Sequence, residues 1–267
     1  MKKLFFIFFF CPLISTAQKP GSRFENDTLY TTSGYKISKG QIIQLASGTA
    51  ENSKFRFIKY NGGFNLDMWG TIVNRDGEVC AVAFTGATRS DQWPGSRVIS
   101  AQKANTANAF SLPDLALSTA NLYSAVQPGG SLFGLQESNP VNVAAAYKGP
   151  AKAFGTAKDP LVGQKIGGVN VFGGGLALYN SSGALVGAIG VSGDSSCADH
   201  NIAWRTRHLL GFDHVSAGVG TPKDNIVFDI VNGVSAGGWG HPTCNANSAT
   251  ANTTVLTDAP LPPAHEH

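Results

Sequence analysis

The sequence predicts a single α/β domain, of the α+β kind, in which a central, mostly antiparallel sheet is flanked by helices. Three observations carry this. Two hairpin units, residues 68–84 and 169–191, each join apolar runs through turn letters: Asn74-Arg75-Asp76-Gly77 in the first, Asn180-Ser181-Ser182-Gly183 in the second. Each unit is followed by a stretch with helical spacing, residues 97–110 and 197–210. With 42% hydrophobic and only 14% charged residues, the chain can build one sizeable core, and its 32 glycines suit tight turns and close packing better than a solvated helical bundle.

The chain opens with Lys2-Lys3, a phenylalanine-dense apolar run to Phe10, and small residues ending at Ala17. Residues 1–17 therefore read as a cleavable signal peptide for export to a bacterial periplasm or beyond. The run is far shorter than the ~20 residues of a spanning helix, so no membrane span is expected. The residues before Cys11 do not resemble a lipobox, and that cysteine is expected to leave with the signal. Residues 18–65 read as a small β extension, with short alternating runs at 28–35, 41–46 and 54–60.

The main domain is expected over residues 66–211. The first hairpin leads to the helix 97–110, whose Val98, Ala101, Ala104 and Ala109 give a small apolar face. Pro113 at a first-turn position predicts a second helix to about Val126. A loop, Gln127-Pro128-Gly129-Gly130, follows, and residues 140–167, rich in Lys, Gly and Pro, read as an inserted surface loop. In the second hairpin, residues 184–191 have the Gly, Ala, Val and Ile content of a strand buried on both faces. Ser196 with Asp199 has capping-box spacing, and Gly211 stops the last helix. Residues 212–244 form a C-terminal extension with one strand near 225–231, and 245–267 read as a disordered tail. His265-Glu266-His267 belongs to that tail and is expected to be solvated.

Candidate chemistry gathers on the last helix. Projected at 100° per residue, Ala198, Ile202 and Leu209 face the sheet, while His200, Trp204 and His208 form a stripe opposite. The stripe suits either a cover for an oligomer contact or the C-terminal segment, or a planar ligand stacked on Trp204 with a histidine on its metal. His200 and His208 are ~12 Å apart along the axis and cannot share one ion. Ser195 has no base and carboxylate arranged for a triad. Gly173-Gly174-Gly175 precedes a strand, which is not the context of a dinucleotide fingerprint. Arg97 and Lys103 lie on opposite faces of one helix, each expected to snorkel over the core edge. Cys80, in an apolar strand, suits a buried free thiol. Cys197 and Cys244 suit a disulfide, with a metal site that includes His200 or His241 as the rival. The formal charge is +3, of which Lys2 and Lys3 leave with the signal, and no basic stripe offers a footprint for nucleic acid.

Three segments also carry a resemblance. Residues 100–107 (SAQKANTA), 127–135 (QPGGSLFGL) and 172–196 (FGGGLALY, then GALVGAIGVSGDSS), followed by Asp199-His200, resemble in content and order the HbpS/GlcG-like haem-binding family across about residues 66–210. The chain departs from it in the β extension, where the family has an amphipathic helix, and in the insertion at 140–167. The resemblance implies a profilin-like sheet and an exported, homo-oligomeric protein that binds haem or another porphyrin for sequestration, delivery or sensing rather than turnover. It implies a site of Lys103, Gly129, Gly130, Phe133, Gly174, Asp199, His200 and Trp204, with His200 as the iron ligand and Lys103 pairing with a propionate. A small-metabolite enzyme and a structural oligomeric surface protein of the same fold are the alternatives. A single pocket is expected where the 127–135 loop and Gly173–Gly175 meet the start of the last helix.

Overall fold

The computed structural model describes residues 61–263 apart from 87 and 157, together with two short strands, β1 (Thr28–Tyr30) and β2 (Lys36–Ser38), which pair antiparallel. The signal segment, the runs at 41–46 and 54–60 and the terminal histidines lie outside the described residues.

Four strands make the central sheet: β3 (Trp69–Asn74), β4 (Val79–Phe84), β5 (Gly175–Tyr179) and β6 (Leu185–Ser192). Their order is β4-β3-β6-β5, with every pairing antiparallel. Both hairpin turns use one device. Asn74 Oδ1 accepts the amides of Asp76 and Glu78, each at 3.0 Å, and Asn180 Oδ1 accepts those of Ser182 and Ala184, also at 3.0 Å. Gly77 and Gly183 supply the positive φ that closes each turn.

The sheet has two covered faces, as strand periodicity requires. On one, helix α1 (Ser96–Phe110) packs Val98, Ala101, Ala104 and Ala107 onto Trp69, Val73, Val82 and Ala188. The helix lies so close that a Cβ at Gly190 would overlap the Ser100 carbonyl, which accounts for the small residues of β6. On the other face, Met68, Ile72, Leu176, Leu178, Ile189 and Val191 meet Ile202, Ala203 and Trp204 of a second long helix, Ser196–Leu210. Each fully buried Leu or Ile contributes roughly 1.5–3 kcal/mol. Two single helical turns, α2 (Leu135–Ser138) and α3 (Val143–Ala146), lie between, so the long helix is α4; the last is α5 (Ser248–Asp258).

Several sequence expectations are corrected. No helix forms over 113–126 beyond a 3-10 turn at Ser124–Val126. Polar side chains capture the backbone groups a helix would use: Ser111 Oγ accepts from Leu117 N at 3.1 Å, and Asn121 Oδ1 accepts from Ser118 N at 3.0 Å. The 140–167 insertion is anchored rather than loose, because Leu161 and Ile166 join the core and Asp159 receives a bidentate pair from Arg97. Neither Arg97 nor Lys103 snorkels; both are buried in ion pairs. Cys80 is buried as expected but is disulfide-bonded rather than a free thiol. Residues 245–263 are not a disordered tail: α5 packs Val255 and Ala259 beside Trp204. Its polar letters find partners far away in sequence. Asn252 Nδ2 donates to Asn201 Oδ1 at 2.9 Å, and Asn225 Nδ2 donates to Asn252 Oδ1 at 2.9 Å. A buried, satisfied polar network of this kind ties a segment down as firmly as an apolar one.

Candidate functional site

The start of α4 is where β6, the glycine run and the C-terminal extension converge. Ser195, one residue before the expected cap, takes that role, its Oγ accepting from Ala198 N at 3.3 Å. Asp199 is thereby freed from the capping box. Its carboxylate accepts Asp194 N at 3.0 Å and Lys103 Nζ at 2.7 Å, and Lys103 also donates to the Val191 carbonyl at 3.2 Å. Gly174, at φ +122°, passes between them, where a Cβ would press on Lys103 Nζ and Asp199 Cβ. Burial pushes the Asp199 carboxyl up to about 6, against the opposing pull of Lys103. Lys103, Gly174 and Asp199 therefore form one interior cluster, as an ion pair rather than an open anion site.

His200 and Trp204 are also interior. His200 is fully buried, its Nε2 accepts Ile226 N–H at 3.2 Å, and burial holds its pKa down at about 3. Its Nδ1 makes no hydrogen bond among the described residues. Trp204 Nε1 donates to the Ala259 carbonyl at 2.8 Å, and the Arg207 guanidinium lies over its ring. The C-terminal segment thus covers the stripe that the helix projection set opposite the sheet. Leu209, projected onto the sheet, is exposed instead. His208 is the accessible imidazole of the stripe, a third exposed, with Nδ1 held by Asp213 at 2.6 Å.

Cys197 and Cys244 form the expected disulfide, which fastens the extension to the first turn of α4. His241 stands beside them, fully buried, its Nδ1 donating to the Pro242 carbonyl at 2.8 Å and its ring 5.2 Å from that of Tyr123. Burial holds its pKa down at about 4.

The 127–135 loop is different in kind. Leu132 and Leu135 at its foot pack into one cluster with Val169 and Val171, just ahead of the glycine run, while Gly173–Gly175 themselves meet α4, Lys103 and Thr119. Phe172 meets the Tyr123 ring at a tilt of 47° with centroids 6.1 Å apart, and its backbone carbonyl accepts from Thr119 Oγ1. Phe133 and Phe172 remain 65% and 44% exposed. Gly129 has open space where a Cβ would be, whereas Gly130 is pressed against the Ala125 carbonyl. The eight residues named from sequence therefore split. Five are interior (Lys103, Gly174, Asp199, His200, Trp204) and three belong to the loop (Gly129, Gly130, Phe133). Sequence reasoning passed over Phe172, although it opens the glycine run, and over the Arg207–Asp224 pair, which is buried at 2.9 Å and joins α4 to the extension.

A family model described as haem degrading protein HbpS-like matches residues 65–207, more than half of the chain, and the chain belongs to that family. It is similar to a solved PduOC–haem complex at 22% identity, covering 63% of this chain and 88% of that one with a TM-score of 0.40. It is also similar to protein ORFY of Klebsiella pneumoniae at 20% identity, with 71% and 94% covered and a TM-score of 0.40. HbpS itself matches at 16% identity over 65% and 86%, TM-score 0.37. No curated protein matches the chain.

Proposed function

We propose that this protein is an exported, homo-oligomeric binder of haem or a related porphyrin, serving sequestration, delivery or sensing. Membership of the HbpS-like family over residues 65–207 carries the reading. Export is supported by the signal-like residues 1–17 and by the disulfide chemistry, which an oxidising compartment sustains. Oligomerisation is supported by the exposed Phe133, Tyr147 and Trp93.

The residues divide in their fit to haem. A porphyrin needs flat apolar contact, and bound iron needs an imidazole with an available lone pair. Phe133 and Phe172, with open backbone at Gly129, fit the first need. His200 does not fit the second, since it is sealed under Ile226 with Nε2 engaged. His208 suits it better: Asp213 takes the Nδ1 proton and leaves the lone pair on Nε2. His208 lies two helical turns beyond His200, away from the glycine run, so this reading assigns ring contact and iron ligand to different copies in an oligomer. The expected pairing of Lys103 with a propionate is withdrawn, because Asp199 already neutralises it.

Titration of the mature protein with haem, followed in the Soret band, tests the reading, and a saturable shift is expected. Turnover is the second reading, favoured by the family's description as haem degrading. Loss of the Soret band with time under reductant and oxygen would establish it.

A further inference from the structure

We infer that Cys197, His241 and Cys244 form a metal site when the disulfide is reduced, taking a soft d10 ion such as Zn2+ through two thiolates and one imidazole. Their ligand atoms all lie within 4.8 Å of one another, and Cys197 and His241 are buried while Cys244 is partly so. The disulfide alone gives no reason for a buried imidazole beside it. His241 is also oriented as metal-binding imidazoles are. Its Nδ1–H is fixed on the Pro242 carbonyl at 2.8 Å, which leaves the lone pair on Nε2. Among the described residues the one hydrogen bond to that lone pair is a long one, from Gly173 N at 3.4 Å.

The surroundings favour thiolate. Cys197 N–H, in the first turn of α4, donates to Cys244 Sγ at 3.1 Å, and Ser196 Oγ lies 3.5 Å from the same sulfur. Amides at a helix start stabilise a thiolate. The sequence shows a matching symmetry: Cys197-Ala198-Asp199-His200 on the helix faces His241-Pro242-Thr243-Cys244 on the extension. His200, one turn from Cys197, carries the unpartnered buried Nδ1 noted above. Zinc accepts such mixed sulfur and nitrogen sets at tetrahedral geometry.

The chemistry balances with a dithiol reductant. It gives two electrons and two protons to Cys197 and Cys244, breaking the S–S bond and becoming a disulfide itself. Ion binding then releases both thiol protons to solvent. The junction between α4 and the extension is cross-linked in both states, by sulfur–sulfur when oxidised and by metal when reduced.

The test uses the full mature chain, reduced with a phosphine, which takes its oxygen from water while the disulfide becomes two thiols. One equivalent of Zn2+ should bind per reduced chain and none per oxidised chain. Co2+ substituted for it should show thiolate-to-metal charge-transfer bands and the strong visible absorption of a tetrahedral site. Cys244→Ser should lose the charge-transfer intensity of one sulfur, and His241→Gln should lower affinity at least ~10-fold. Reduced wild-type protein that binds no Zn2+, or that binds Co2+ without charge-transfer bands, would overturn the inference, and neither measurement depends on a variant folding.

Discussion

The start of α4 meets the glycine run at Gly173 and the 127–135 loop packs on Val169 and Val171 just ahead of that run, yet the two regions treat ligand-like residues in opposite ways. At α4 the charged, imidazole and indole groups bond to one another or to the chain: Lys103 to Asp199, His200 to Ile226, Trp204 to Ala259. At the loop Phe133 is left 65% exposed, and Phe172, ahead of the glycine run, is left 44% exposed. A motif with ligand chemistry therefore has two uses, and the proposed porphyrin contact falls to the exposed one. In the interior, the same residue types hold the C-terminal extension on the domain.

If the interior cluster is structural, acid should undo it most strongly. His200 and His241 have pKa values lowered to about 3 and about 4. Both stay neutral when folded and charge near 6.5 when unfolded, so their contribution is complete above that pH and drains away as pH falls. Asp199 acts in the opposite sense. Raised to about 6, it costs stability when ionised and relieves that cost between about 6 and 4. Two histidines outweigh one aspartate, for a net loss on the order of 5 kcal/mol by pH 3, checked by urea unfolding across pH. Stability that rises on acidification from pH 6.5 to 4 would break the assignment.

Lys103→Ala comes next. It leaves Asp199 buried without its cation and should cost about 3–5 kcal/mol in chemical unfolding, while Lys103→Met with Asp199→Leu should recover much of that loss. Asn252→Ala should cost about 1–3 kcal/mol, since Asn201 Oδ1 and both polar ends of Asn225 lose a partner. At the loop the balance reverses. Phe133→Ala should change stability by less than about 0.5 kcal/mol and weaken haem binding roughly 10-fold, measured in parallel on one preparation.

How much of this the sequence discloses follows the range of the interactions. The hairpins and the Gly211 stop are legible because Asn74, Asn180 and Gly211 act on neighbours within a few residues. The cap of α4 is misplaced by one because Asp199 reaches back past Ser196 to the Asp194 amide and also pairs with Lys103, 96 residues away. Over residues 113–126 the Pro113 signal is outweighed by Ser111, Ser118 and Asn121, whose side chains compete for the same backbone groups. The tail is illegible for the same reason at longer range, since Asn252 reads as solvated until Asn201 and Asn225 are brought to it. For the site, chemistry is legible and exposure is not: the helix projection separates His200 from the sheet but cannot show that residues 225–226 and 259 close over that side.

The central claim is that porphyrin ring contact lies at the exposed Phe133 and Phe172 and not at the sealed His200 and Trp204 of α4. Haem titration of three proteins in the Soret band tests it: wild type, His200→Gln, and Phe133→Ala with Phe172→Ala. The account predicts a saturable shift for wild type, the same band position and affinity for His200→Gln, and an affinity at least ~10-fold lower for the double phenylalanine variant. No shift in wild type, or a band displaced by His200→Gln with the phenylalanine variant unaffected, would contradict it.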